Sequence, residues 1–248
     1  MKGVILAGGT GSRLYPLTRI TNKHLLPIYD RPMISYAIEA LVKAGVCEVM
    51  LVTGGTHAGE FLRLLGNGHE HGLDRLHYAY QERPGGIAEA LGLTERFVDG
   101  DSVCVMLADN IVERSLRPAI ANFSRQPEGA RILLSRIQDP GHLRHVGVPA
   151  FDPTGKRVVR IIEKPEDPPS SFAVTGIYLY PPEVFEVIPT LQPSGRGELE
   201  ITDVNNHFLE VGAMEYDVLE GFWGDAGESI EAYYTVNDFV RAHGANKD

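Results

Sequence analysis

Short apolar runs recur along the first half of the chain, at residues 4–7, 49–52, 76–80, 103–107 and 131–134, and segments of helix length separate them. Runs such as Val4-Ile5-Leu6-Ala7 and Val103-Cys104-Val105-Met106-Leu107 are apolar at successive positions. Strands made of them must therefore be covered on both faces. The segments between them, at 33–42, 57–65, 87–97 and 115–123, show helical spacing, as in Ile34, Ala37, Ile38, Leu41 and Val42. Doubly covered strands alternating with helices imply crossover connections and a parallel sheet between helical layers. The predicted fold class is α/β.

From about residue 140 the texture changes. Residues 146–151, 157–162 and 172–180 read as strands joined by Pro- and Gly-bearing loops without a long helix between them, which predicts a mixed or antiparallel extension. Helical patterns return at 199–209 and 230–242. No linker-like tract divides the chain, so the expectation over 1–248 is one domain with two lobes, 1–140 and 141–248. A composition of 43% hydrophobic and 23% charged residues is that of a globular chain and excludes disorder, collagen and coiled coil. The balance of 23 Lys+Arg against 33 Asp+Glu, a formal charge of −10, repels polyanions. Nucleic acid and anionic membrane surfaces are therefore not expected as main partners. Cys47 and Cys104 lie in apolar runs, as reduced core residues of a cytoplasmic protein do. No apolar run reaches membrane-spanning length, and the N-terminus passes into glycines without a signal-peptide pattern.

The first strand leads directly into Gly8-Gly9-Thr10-Gly11-Ser12-Arg13, at the carboxyl end of a strand where open α/β sheets bind ligands. The spacing excludes two common phosphate loops. A dinucleotide fingerprint starting at Gly9 needs glycine or alanine at 14, which is Leu14, and a P-loop starting at Gly3 lacks its lysine after Gly8. What remains is a loop of bare backbone N–H groups able to approach phosphate oxygens, with Arg13 adding a fork of donors. An ordinary strand-to-turn loop with a surface arginine has the same sequence. Lys23, in Asn22-Lys23-His24-Leu25-Leu26-Pro27, supplies a second cation held beside the loop by its apolar neighbours.

These residues, with Pro16 and Thr18, resemble the signature of sugar-1-phosphate nucleotidyltransferases. The likeness continues through 81–86, Ala108-Asp109-Asn110, Ile162-Glu163-Lys164-Pro165, Val174-Thr175-Gly176 and 197–203, spanning nearly the whole chain. It implies a Rossmann-like nucleotidyltransferase fold whose mixed, mostly parallel sheet is flanked by helices, with a small β-rich sugar-binding lobe. The implied reaction joins a nucleoside triphosphate and a sugar 1-phosphate into a nucleoside-diphosphate sugar and pyrophosphate, with Mg²⁺. Within the family the likeness points to dTTP and glucose 1-phosphate, giving dTDP-glucose. A uridylyltransferase using UTP and a non-catalytic nucleotide-sugar binding module are the alternatives. A homo-oligomer, dimer or tetramer, is also implied.

Carried over residue by residue, the resemblance implies nucleotide contacts from Leu6, Gly8, Gly9, Gly11, Ser12, Arg13, Gln81 and Gly86. It implies sugar-phosphate contacts from Asn110, Gly147, Glu163, Lys164, Val174 and Arg196. Asp109 and Asp225 are the implied metal ligands, and Arg13, Lys23 and Lys164 the implied catalytic cations. Four positions depart from the family pattern: His24 replaces glutamine, Gly85 replaces aspartate, and Gly224 and Ala226 replace a bulkier residue and a threonine near the metal. The chain resembles the short form, without the extension that contributes to a regulatory nucleotide site in longer relatives.

The chemistry suits these residue types. The two substrates bring roughly six negative charges, and phosphates a few ångströms apart repel by several kcal/mol at an effective dielectric of about 20. A sugar phosphate is ionised near neutrality because its second pKa is about 6, so its oxygen needs no general base. Accordingly, no Ser/His/Asp or Cys/His constellation is found, and in-line attack on the α-phosphorus needs positioning and charge more than proton transfer. Mg²⁺ takes one or two carboxylates, which fits Asp109 and Asp225. Taken alone, Asp109 in an Ala-Asp-Asn turn equally serves as a turn former, and Glu163 with Lys164 as an exposed ion pair. His69-Glu70-His71, with His57 and His77 nearby, reads as a solvated loop rather than a metal site.

Overall fold

A computed structural model describes residues 1–126 and 128–248. The first half comprises β1 (Lys2–Ala7), the short pair β2 (Pro27–Ile28) and β3 (Arg31–Pro32), α1 (Met33–Lys43), β4 (Glu48–Gly54), α2 (Ala58–Leu65) and β5 (Arg75–Gln81). It continues through α3 (Ile87–Gly92), α4 (Glu95–Val98), β6 (Val103–Leu107), β7 (Asn110–Val112), α5 (Arg117–Arg125) and β8 (Ala130–Arg136). The second half holds β9 (Gly147–Phe151), β10 (Val158–Glu163), β11 (Phe172–Tyr180), α6 (Val184–Val187), α7 (Ile201–Glu210), β12 (Met214–Val218), β13 (Trp223–Asp225) and α8 (Ile230–His243).

The central sheet has seven strands in the order β12-β8-β11-β6-β1-β4-β5, and only β11 runs antiparallel to its neighbours. This is the mixed, mostly parallel α/β sheet expected. The strand period of two splits each buried strand between two cores. Ile5 and Ala7 of β1 pack with α1, α2 and α5, whereas Val4 and Leu6 pack with α3, α4, α6 and α7. Cys104 and Met106 divide from Val103 and Val105 in the same way. A third cluster, including Leu14, Met33, Tyr36, Ile111, Ala226 and Val236, fastens α8 beside the glycine loop.

Several elements depart from the sequence expectation. The helix read over 87–97 is two, because the Thr94 hydroxyl donates to the Leu91 carbonyl at 2.7 Å and closes the first turn set after Gly92. Strand β12 was not predicted: as an edge strand its Met-Glu-Tyr-Asp-Val sequence alternates without a doubly apolar run. Residues 141–248 do not all stand apart as a lobe. β9 and β10 pair only with each other, but β11 lies deep in the central sheet between β6 and β8. Its register shifts between Val174 and Tyr178, where the Gly176 N–H leaves the ladder to reach Asn110 Oδ1 at 2.8 Å. Both cysteines are free, and burial pushes the Cys104 thiol up to about 12. No helix among the described residues is long and apolar enough to cross a membrane.

Gly3 lets α1 approach β1, since a Cβ there would lie 2.8 Å from Val49 Cγ2 and 3.1 Å from Leu41 Cδ1. Gly3→Val therefore overpacks the core, a cost of about 1–3 kcal/mol, and the melting temperature should fall by about 2–10 °C. An unchanged thermal transition would contradict this packing.

Candidate active site

The loops that follow β1, β5 and β6 leave the carboxyl ends of parallel strands side by side, and a cleft of about 320 Å³ opens there. Its wall includes Leu6, Gly8, Gly9 and Arg13 from the glycine loop, Gln81 and Gly86 from the end of β5, and Lys23 and Asp109 on the floor. Glu163 and Lys164 enter from the end of β10, Arg196 from the loop before α7, and Asp225 from β13. Residues far apart in sequence thus meet in one crevice. Gly9 and Gly11 have φ of 93° and 63°, the left-handed region in which glycine is unstrained, and this turns the loop over the strand ends.

The deepest feature is an ion cluster. Lys23 Nζ donates to Asp109 Oδ2, and the Asn110 amide donates to the other Asp109 oxygen at 3.2 Å. Burial opposes the charge on Lys23, but Asp109 and then Asp225 outweigh it and hold the ammonium above its ordinary value. Burial likewise opposes ionisation of Asp109, and here Lys23 wins, holding the carboxyl well below the usual range. Asp225 has no such partner. Burial, and next the charge of Asp109, push it up to about 6, while its Oδ1 accepts from the Gly227 N–H at 2.8 Å. The neighbouring His24 is held neutral, lowered to about 3 by burial and then by Lys23, and its ring Nδ1 meets Asn22 Oδ1 at 2.8 Å.

The backbone around β13 exists to bring the two aspartates together. β13 pairs with β7 so that Asp225 faces Asn110, and the Ala226 N–H donates to the Asp109 carbonyl at 2.9 Å. A Cβ on Gly227 would lie 2.4 Å from Asp109 Oδ2 and 2.6 Å from Lys23 Nζ, so a larger residue there has to push one of these head groups aside. Two of the departures from the family pattern find their reason here. A Cβ on Gly224 would collide with Val236 and Phe222, and Ala226 is fully buried in the apolar cluster under α8.

At the other end of the cleft the cations are already paired. Lys164 Nζ lies 3.4 Å from Glu163, and Arg196 Nη2 lies 2.9 Å from Glu200 and 3.8 Å from both Glu163 and Glu198. The Thr202 hydroxyl donates to Glu163 Oε2 at 2.8 Å and fixes that carboxylate at the start of α7. Lys164 has a φ of 47°, an uncommon conformation for a residue with a Cβ, which aims its side chain from the strand end.

Not every implied residue reaches the wall. Gly11 and Ser12 stand outside the cleft lining and shape the loop from behind, with the Gly11 carbonyl held by the Thr18 hydroxyl at 2.8 Å. Asn110 is 2% exposed, and its carbonyl accepts from Trp223 Nε1 at 2.7 Å and from Gly176, so it acts as a brace. Val174 is buried, and Gly147 sits opposite Glu163 in the β9–β10 pair, outside the lining. The sequence reading assigns Glu89 no role, takes Gly227 only as a flank of Asp225, and takes Glu198, Glu200 and Thr202 only as part of the 197–203 likeness; the structure sets Glu198 and Glu200 on Arg196 and Thr202 on Glu163. Gly85 marks Glu89 in hindsight, because its missing side chain leaves a notch that the Glu89 carboxylate fills. His69–His71 forms a 3-10 turn, and no group of three or more metal-ligating side chains occurs among the described residues.

A parallel sheet with a glycine loop, cations and a carboxylate pair at its strand ends is the architecture of a nucleotidyl-transferring enzyme, and the comparisons agree. The chain matches the Nucleotidyl transferase family over residues 2–243 and belongs to it. Two relatives named glucose-1-phosphate thymidylyltransferase are 44% identical (Actinoplanes sp., 98% of this chain and 78% of the relative) and 40% identical (Neisseria meningitidis, 97% and 83%). A Bacillus anthracis crystal structure, of a candidate glucose-1-phosphate thymidylyltransferase in complex with a sucrose, superposes with a TM-score of 0.91 at 46% identity, covering 97% of this chain and 95% of that one. A UDP-glucose pyrophosphorylase complexed with UDP-glucose shares the fold, with a TM-score of 0.83 at 23% identity over 97% and 98% of the two chains.

Gly227→Ala should displace Lys23 or Asp109 by the better part of an ångström. Nucleotidyl transfer should then fall by about 10²-fold, and the melting temperature should fall by a few degrees as the buried ion pair loosens. Turnover within a few-fold of the unchanged enzyme would contradict the packing role of Gly227.

Proposed function

We propose that this nucleotidyltransferase transfers a thymidylyl group from dTTP to glucose 1-phosphate, giving dTDP-glucose and pyrophosphate. The observation that carries the reading is the division of charge along one cleft: Arg13, Lys23 and two aspartates beside the glycine loop, with Lys164, Arg196 and Glu163 opposite. The names of relatives alignable over nearly the whole chain support the choice of substrates.

The carboxylate pair fits Mg²⁺. Two aspartates share one lysine; Asp225 is raised first by burial and then by the charge of Asp109, a charge that a divalent ion would offset. Such an ion, when bound, supplies Lewis acidity and screens the phosphates. The remaining chemistry belongs to the side chains. Gly8 and Gly9 leave backbone open to the triphosphate, and Arg13 and Lys23 offset its charge. Lys164 and Arg196 take the phosphate of the sugar, Arg196 exchanging its carboxylate partners for it, while Glu163 accepts sugar hydroxyls. The ionised phosphate oxygen attacks the α-phosphorus in line. A P–O bond forms there as the bond to the bridging oxygen of the β-phosphate breaks, and pyrophosphate leaves. No proton has to be removed from the nucleophile, which accounts for a site without a general base.

A panel crossing several nucleoside triphosphates with several sugar 1-phosphates tests this by release of pyrophosphate. Activity should require a divalent cation and be highest with dTTP and glucose 1-phosphate. Asp225→Asn should lower turnover by at least about 10²-fold while nucleotide affinity changes by no more than about threefold. Silence with every pair, or wild-type rates in the variant, would overturn the reading. A second measurement addresses the ion. Asp225 carries its proton below about pH 6, and binding a cation displaces it. Affinity for Mn²⁺ should therefore climb by up to about tenfold per unit as pH rises toward 6 and level off above about 7. Asp109, ionised throughout this window, adds no slope. A calorimetric affinity independent of pH would contradict the assignment.

A further inference from the structure

Gln81 stands where the cleft wall meets the end of β5, and its amide is not free to turn. Its NH₂ group donates to Glu89 Oε1 at 3.1 Å and to the Gly86 carbonyl at 3.2 Å. A carboxylate and a backbone carbonyl both accept and cannot donate, so only the NH₂ end of the amide can face them. The carbonyl end is left pointing the other way: Gln81 Oε1 lies against the bare backbone of Gly8, 3.3 Å from where a Cβ would be, and no donor among the described residues reaches it. Glu89 is in turn held in place. Its head group fills the notch at Gly85, where an added Cβ would fall 2.1 Å from the carboxylate, and Arg83 Nη2 approaches its other oxygen at 3.4 Å.

We propose that Glu89 is a positioning residue that sets base specificity: by fixing the Gln81 amide it offers the nucleotide a lone acceptor, and so selects bases that present a ring N–H. Thymine and uracil carry that N–H between two carbonyls. Cytosine presents a lone pair at the same ring position, and two acceptors then face each other, leaving buried polar groups unpaired. Discrimination against cytosine therefore comes from an element that does not touch the base. The inference rests on the nucleotide reading of the cleft proposed above.

Two changes remove the same contact by different routes. Glu89→Ala deletes the carboxylate, and Gly85→Ala evicts it by occupying the notch at a position whose backbone is not left-handed. Calorimetry with dTDP and dCDP, and kcat/KM with dTTP and dCTP, read the outcome. The unchanged enzyme should prefer thymine by at least about tenfold, both variants should narrow the ratio to within about threefold, and the double variant should narrow it no further. Glu89→Gln, whose amide oxygen can still accept from Gln81, should keep most of the preference. If the unchanged enzyme binds neither diphosphate, the proposed function falls and takes this inference with it. If it discriminates and either alanine variant keeps its full ratio, or loses affinity equally for both bases, Glu89 does not set specificity and the function stands.

Discussion

The site is organised around one buried lysine serving two carboxylates. Lys23 neutralises Asp109 by direct contact, and the remaining charge falls on Asp225, which burial and then its neighbour push up to about 6. An isolated ion buried this way is costly, and removing one partner of such a pair costs on the order of 3–5 kcal/mol. The surrounding backbone is correspondingly constrained. The β7–β13 pairing, the Ala226 contact with Asp109 and the absent side chain of Gly227 all serve to hold these groups within reach of one another. The apolar cluster beneath α8 presses that backbone into place.

Charge at the opposite end of the cleft is arranged differently. Lys164 and Arg196 are partly exposed and paired with carboxylates, so under the proposed function an incoming phosphate would exchange one set of anionic partners for another rather than meet bare cations. Such exposed pairs contribute at most about 1 kcal/mol to stability, and breaking them on binding is correspondingly cheap. A rigid floor and adjustable far wall follow from this difference in burial.

Much of this was legible in the sequence, and the parts that were not share a cause. The doubly apolar runs revealed the parallel strands because both faces of β1 and β6 are buried, a local property. The glycine loop, Asp109, Glu163 and Lys164 stood out because each lies at a strand end or just beyond one, and Lys23 because the apolar residues after it hold it beside the loop. Asp225 rested on the family pattern, since nothing local distinguishes it from a turn residue. β12 escaped because an edge strand with one exposed face lacks the apolar run, and the place of β11 in the central sheet escaped because antiparallel insertion is a matter of topology. The bracing role of Asn110 and the close packing at Gly227 depend on contacts between distant segments, whereas Glu89 meets Gln81, Arg83 and Gly85 within one stretch of chain whose turn geometry the sequence does not display. Missing side chains at Gly85 and Gly227 were visible, but what fills the space was not.

The proposed function depends most on Asp109 and Asp225 forming a cation site at the floor of the cleft. Anomalous diffraction from crystals grown with Mn²⁺ and dTDP-glucose tests it most directly. A peak is expected about 2 Å from oxygens of both aspartates and of the diphosphate. Strong density for the nucleotide with no peak there, or a peak bound to other residues alone, would contradict it.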